Sequence, residues 1–168
     1  IAGEKAGVLR KGRTAVIGPM APEAENTIID TASAKKAVIV RALHGVSLRR
    51  AGTRLSVVTP GGQYPGLKPL PGAHQRTNLV VAIRTLEALA EAGVAVDLPS
   101  AMAAMSGTQW PGRLERFEGH PPFLLDGAHN EAGARALASY LKDSHTPYVL
   151  VFGAMRDKHV REMAAQLF

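Results

Sequence analysis

The side chains best suited to chemistry gather between Trp110 and Asn130, WPGRLERFEGHPPFLLDGAHN. Within it the apolar run Phe123-Leu124-Leu125 reads as a buried strand, ending in Asp126, Gly127, Ala128, His129 and Asn130 before a helical pattern begins. A strand that delivers a carboxylate and an imidazole to a turn opening a helix is how open α/β sheets build ligand sites at the carboxyl ends of their strands. Capping of the next helix is the competing role for Asp126 and Asn130.

The elements around this stretch follow from pattern. Thr14 to Ile17 and Ala37 to Val40 read as short strands, with a helix from Pro22 to about Ser33 between them. Arg54 to Thr59 and Tyr64 to Leu67 predict a hairpin turning through Pro60-Gly61-Gly62-Gln63. Leu79, Ile83, Leu86 and Ala90 repeat at helical spacing from Gln75 to Ala92, with Gly93 placed to end the helix. Leu98 to Gly107 predicts a shorter helix, with Ser100 as a possible N-cap. A domain boundary is expected near Ser106 to Gln109, dividing the chain into residues 1–107 and 108–168. Beyond it, Phe123 to Leu125, Glu131 to Lys142 and Tyr148 to Phe152 predict a right-handed βαβ unit in a parallel sheet. Gly153 to Lys158 then forms a second loop beside Asp126.

The chain has 168 residues, 20 Lys plus Arg against 14 Asp plus Glu, and no cysteine. Disulfides and thiolate metal sites are therefore excluded, and a reducing compartment, the cytoplasm, is expected. No apolar run approaches membrane-spanning length. The net charge of +6 suits anionic partners. Basic residues cluster only at Arg10-Lys11-Gly12-Arg13 and Arg49-Arg50, without the aromatic platforms that single-strand binders use, so no nucleic-acid partner is expected. Ile1 at the start and an apolar-periodic segment running into Phe168 suggest a fragment of a longer protein.

Gly7 to Thr14 has P-loop spacing, but Arg13 stands where lysine is needed and the segment precedes a strand instead of following one. It is not a P-loop. Five other signatures occur in order: Ile1-Ala2-Gly3-Glu4-Lys5-Ala6-Gly7-Val8; Gly72 to Asn78 (GAHQRTN); Trp110 to Glu115 (WPGRLE); Leu125 to Asn130 (LDGAHN); and Phe152 to Lys158 (FGAMRDK). Together they resemble the folylpolyglutamate synthase/dihydrofolate synthase family of the Mur ligase superfamily. The resemblance covers essentially the whole chain. It implies an α/β, Mur ligase-like fold: residues 1–107 as the end of a central P-loop-type ATPase domain, and 108–168 as the start of a Rossmann-like C-terminal ligase domain.

What the resemblance implies for activity is an ATP-dependent amide ligase that adds L-glutamate to a folate, or to dihydropteroate, through an acyl phosphate. ATP and Mg2+ are the implied cofactors, small molecules the implied partners, and a monomer the implied state of the full-length protein. Lys5 matches a lysine that is carbamylated and supports magnesium; oxygen ligands suit that ion, whereas a bare ammonium would be repelled. Glu4 either orients Lys5 or lies on the surface. Asn78 matches an ATP contact at a helix start, with capping as the alternative, and Arg113 matches an arginine reaching ATP phosphates across the domain interface. Asp126 matches a nucleotide-binding aspartate, with His129 beside nucleotide or incoming glutamate and Asn130 capping the helix. Lys158 is a candidate substrate or phosphate contact.

Three departures from the family pattern stand out. Glu131 replaces the usual proline after HN, His159 replaces the last aspartate of a DKD loop, and the 168 residues contain no P-loop. The chain alone is therefore expected not to catalyse. Two alternative readings remain, a Mur-type amino-acid ligase acting on a peptidoglycan precursor and a non-catalytic basic module that binds nucleic acid.

Overall fold

The computed structural model describes residues 2–155 and 157–168. Ile1 and Arg156, which belong to the first and last signatures, lie outside the described residues. The chain divides into two compact units, one of residues 1–69 with 77–107 and the other of residues 70–76 with 108–168.

The first unit opens with α1 (Ala2–Ala6), β1 (Thr14–Ile17), α2 (Pro22–Ala34) and β2 (Val38–Arg41). β1 and β2 pair in parallel, Thr14 opposite Val38 and Ile17 opposite Arg41. Pro22 opens α2, where its missing N–H removes a donor that the first turn leaves unpaired anyway. Ala6, Leu9, Ile17, Ile28 and Ala32 bury together between these elements.

A three-stranded antiparallel sheet follows, β3 (Ser47–Ala51), β4 (Arg54–Thr59) and β5 (Gly62–Leu67), in that order. The hairpin expected from Arg54 to Leu67 is present, but its turn is shorter than predicted because Gly62 already pairs with Thr59. Alternation on β4 sends Leu55, Val57 and Thr59 inward. Against them packs α3 (Ala73–Glu91), whose Leu79, Val80 and Ile83 join Leu55, Val57, Tyr64 and Leu67 in the larger core. Fully burying each such side chain is worth about 1.5–3 kcal/mol.

α4 (Leu98–Gly107) contributes Met102 to that core. Its cap corrects the expectation for Ser100. Asp97 precedes the helix and accepts from the Ser100 amide at 3.4 Å and from the Ser100 hydroxyl at 2.5 Å, which holds the Asp97 carboxyl below its ordinary range. Aspartate is as good an N-cap as serine and stands at the true boundary.

The second unit differs most from expectation. β6 (Glu115–Phe117) pairs antiparallel with β7 (Phe123–Leu125), joined by the stacked rings of Phe117 and Phe123 at 4.4 Å. Phe123 and Leu125 are 57% and 50% exposed, so the strand is not buried: a two-stranded ribbon has no layer over its outward positions. α5 (Glu131–Ser144) and α6 (Val160–Leu167) pack through Ala134, Met163 and Leu167.

Tyr148 to Phe152 forms no strand, so the expected parallel βαβ pairing is absent among the described residues. The segment still alternates. Leu150 and Phe152 pack on the α5–α6 cluster, while Val149 and Val151 are 93% and 92% exposed. Side-chain alternation is therefore strand-like, but β7 takes its ladder from β6, and period-2 burial does not by itself supply a hydrogen-bonding partner. No described helix is long and apolar enough to cross a membrane.

Candidate functional site

In the second unit the carboxylate of Asp126 organises two turns. Its Oδ2 accepts from the Leu114 amide at 3.0 Å, and its Oδ1 from the Ala128 amide at 2.9 Å. Gly127 donates to the Gly112 carbonyl at 2.7 Å, and Gly112 donates to Glu115 Oε2 at 2.7 Å. The WPGRLE and LDGAHN signatures, separated in sequence, are thereby one hydrogen-bonded cluster. Gly112 sits at φ 68°, where a side chain would be strained. Leu114 holds φ 49° although it has a side chain, stabilised by its burial to 4% exposure and its bond to Asp126.

Arg113 is placed between these two residues and is half-buried. A carboxylate offers about four lone-pair positions, so two amide contacts leave Asp126 able to accept from a ligand hydroxyl. His129 is exposed and its Nδ1 lies 2.9 Å from the Gly127 carbonyl. A carbonyl only accepts, so Nδ1 carries the proton and Nε2 of the neutral ring is left as an acceptor. Asn130 caps α5, its Oδ1 accepting from the Gly133 amide at 2.8 Å. Asp126 does not cap that helix: its bonds go to the Leu114 and Ala128 amides, both ahead of α5.

Lys158 pairs with Asp157 at 3.0 Å, and this contact lowers the Asp157 carboxyl below its ordinary range. The expected position of this loop, at a strand's carboxyl end, is corrected with the loss of that strand. What ties the loop to α5 is His159, whose Nδ1 lies 3.1 Å from Glu131 Oε1.

In the first unit, Lys5 is exposed in the last turn of α1. It lines a cavity of 430 Å³ with Leu9, Arg10, Arg13, Ile17 and Ile28 among its other walls. Three cations and no carboxylate line this cavity. Among the described residues no three His, Cys, Asp or Glu side chains converge on a point. The residues present therefore do not make a magnesium site by themselves. Asn78 is exposed and stands more than one turn beyond the start of α3 at Ala73, which removes capping as its role and corrects its expected place at the helix start.

Sequence reasoning missed Glu87. It is 4% exposed and accepts from the Thr59 hydroxyl, from Tyr64 Oη at 2.7 Å and from Arg84. The signal was available: Glu87 follows Ile83 by four positions, on the apolar side of α3.

These two turns and their helix define a class. Residues 112–168 match the Mur ligase, glutamate ligase domain. Over 99% of its length the chain is 34% identical to the dihydrofolate synthase/folylpolyglutamate synthase of Bacillus subtilis and 33% identical to that of Mycobacterium tuberculosis. It covers 41% and 38% of those relatives. Solved structures agree: an FPGS–AMPPCP–folate complex matches at TM-score 0.87 and 25% identity over 99% of this chain and 42% of that one. The Mycobacterium tuberculosis folylpolyglutamate synthase complexed with ADP matches at TM-score 0.81 and 30% identity over 99% of this chain and 39% of that one. Residues 112–168 thus match a Mur ligase-type domain within a mixed α/β chain. The chain is homologous over nearly its whole length to the folylpolyglutamate synthases/dihydrofolate synthases, and spans about two fifths of the relatives it matches.

Proposed function

We propose that this chain serves an ATP-dependent amide ligase that adds L-glutamate to a folate or to dihydropteroate. In that reaction a substrate carboxylate oxygen attacks the γ-phosphorus of ATP and ADP leaves. The glutamate amino group then attacks the acyl carbon of the acyl phosphate, and inorganic phosphate leaves. The protein's part is to position the reactants and neutralise charge.

The observation that carries the reading is that Arg113 lies in the turn that the Leu114 amide ties to the Asp126 carboxylate. Arg113 supplies a permanent planar cation for phosphate oxygens, and Asp126 supplies free lone pairs for ribose hydroxyls. His129 and Lys158 are assigned to nucleotide or glutamate, and Asn78 to ATP. A carbamylated Lys5 would offer a carboxylate-like oxygen to magnesium, although no carboxylate lines the cavity beside it among the described residues. The 168 residues lack a P-loop, and the chain alone is assigned no turnover.

Titration of the purified chain with ADP tests this. Wild type is expected to bind, and Arg113→Ala to lose about tenfold in affinity, the scale of one charge-assisted contact. Equal ADP affinity in the two proteins overturns the assignment of Arg113. Glutamate-dependent ADP release by the chain with a folate acceptor would overturn the expectation of no turnover.

A further inference from the structure

The first residue of α5 and the residue just before α6 touch each other. Glu131 is the first residue of α5, His159 is the N-cap position of α6, and His159 Nδ1 lies 3.1 Å from Glu131 Oε1. Glu131 Oε2 also lies 3.8 Å from Arg135, one turn along α5.

Position gives the contact its meaning. Glu131 directly follows His129 and Asn130, and His159 directly follows Lys158. Residues 153–158 run from Phe152, which packs on the α5–α6 cluster, to His159. The hydrogen bonds at Lys158 are local, its amide to the Met155 carbonyl at 3.0 Å and the Val160 amide to its own carbonyl at 2.8 Å. The His159–Glu131 contact thus fastens the far end of the loop to the helix that begins at the Asp126–Asn130 turn.

We infer that Glu131 and His159 are a pair of positioning residues, which hold the Lys158 loop against the start of α5 and so set where the Lys158 ammonium is presented. Its use for ligand rests on the ligase reading above; the contact itself does not.

Amide hydrogen exchange across residues 153–158 of the 168-residue chain, without ligand, tests the pair. Glu131→Ala and His159→Ala are each expected to speed exchange about threefold, the scale of an exposed charged pair. The double variant should add little to either, since both remove one contact. Glu131→Gln keeps an oxygen that accepts from Nδ1–H and should restore protection, a rescue that loss of charge or of helix propensity would not give. Unchanged exchange, additive effects or a Gln variant as fast as the Ala variant overturns the proposal. Because no ligand is present, failure here is distinct from failure of the ligase reading, which the ADP titration decides.

Discussion

Leu114 donates its backbone amide to Asp126 Oδ2 at 3.0 Å across a sequence separation of 12 residues, and this bond joins the turn before β6 to the turn after β7. The other carboxylate oxygen is held by Ala128. Both oxygens must therefore accept. Asp126→Asn replaces one acceptor with an NH2 group that faces an amide donor, and is expected to destabilise the chain by about 1–2 kcal/mol, the cost of one unmade bond at a half-buried site. Urea denaturation of the two proteins checks this; equal midpoints would mean the carboxylate holds neither turn.

Tyr64 and Glu87 supply a pH dependence. Burial chiefly, and then the hydrogen bond to the Glu87 carboxylate, push the Tyr64 hydroxyl up to about 12. An unfolded tyrosine loses its proton near 10. Between these values the unfolded chain binds fewer protons than the folded one, so stability falls as pH rises from about 10 to about 12 and is fully present below that window. Tyr64→Phe should remove this tyrosine's share of the fall. Thermal melts of both proteins at pH 9 and near pH 11 compare the slopes; parallel slopes would place the alkaline loss on other groups.

Gly61 lies at the turn of the β4–β5 hairpin because the Glu87 carboxylate occupies the space a side chain would need. A Cβ there would stand 2.6 Å from the Glu87 carboxyl carbon. Gly61→Ala must push aside a carboxylate that Thr59, Tyr64 and Arg84 all bond. The expected loss is about 2–3 kcal/mol, the range for disturbing a buried hydrogen-bonded charge, read from the denaturation midpoint. A loss below a few tenths would show that the carboxylate moves freely.

What the sequence discloses follows from where its signals arise. α3 was legible because Leu79 and Ile83 recur on one face and Gly93 ends the pattern at φ 83°. β3 was not: Ser47 to Ala51 is exposed throughout and carries Arg49 and Arg50, so it has no apolar alternation and is held by its ladder to β4. Charged residues on an edge strand discourage pairing with other chains, and they also erase the periodicity from which a strand is read. Tyr148 to Phe152 fails the opposite way, with the alternation present and the ladder absent. At the site, the signatures named Asp126 and Arg113. The bond from Leu114 to Asp126 depends on the positive φ of a non-glycine residue, for which single-sequence patterns carry no signal. Likewise Glu131 and His159 were visible as departures, but their contact is a matter of how α5 and α6 pack.

His129 and Asn130 are neighbours whose roles separate cleanly. Asn130 accepts from the Gly133 amide at 2.8 Å and is the N-cap of α5, so Asn130→Ala is expected to cost about 1 kcal/mol of stability. His129 is exposed, and its one bond of note, Nδ1 to the Gly127 carbonyl at 2.9 Å, orients a ring whose Nε2 is left to accept. His129→Ala should leave the denaturation midpoint within about 0.5 kcal/mol of wild type, as surface substitutions usually do. The proposed function assigns the ligand to His129 and the helix to Asn130. ADP and L-glutamate titrations on both variants should therefore find weakened binding in His129→Ala, with Asn130→Ala near wild type at a temperature where it is fully folded. The reverse order, with Asn130→Ala binding poorly while folded and His129→Ala binding normally, would move the ligand contact from the imidazole to the cap and leave Nε2 without a role.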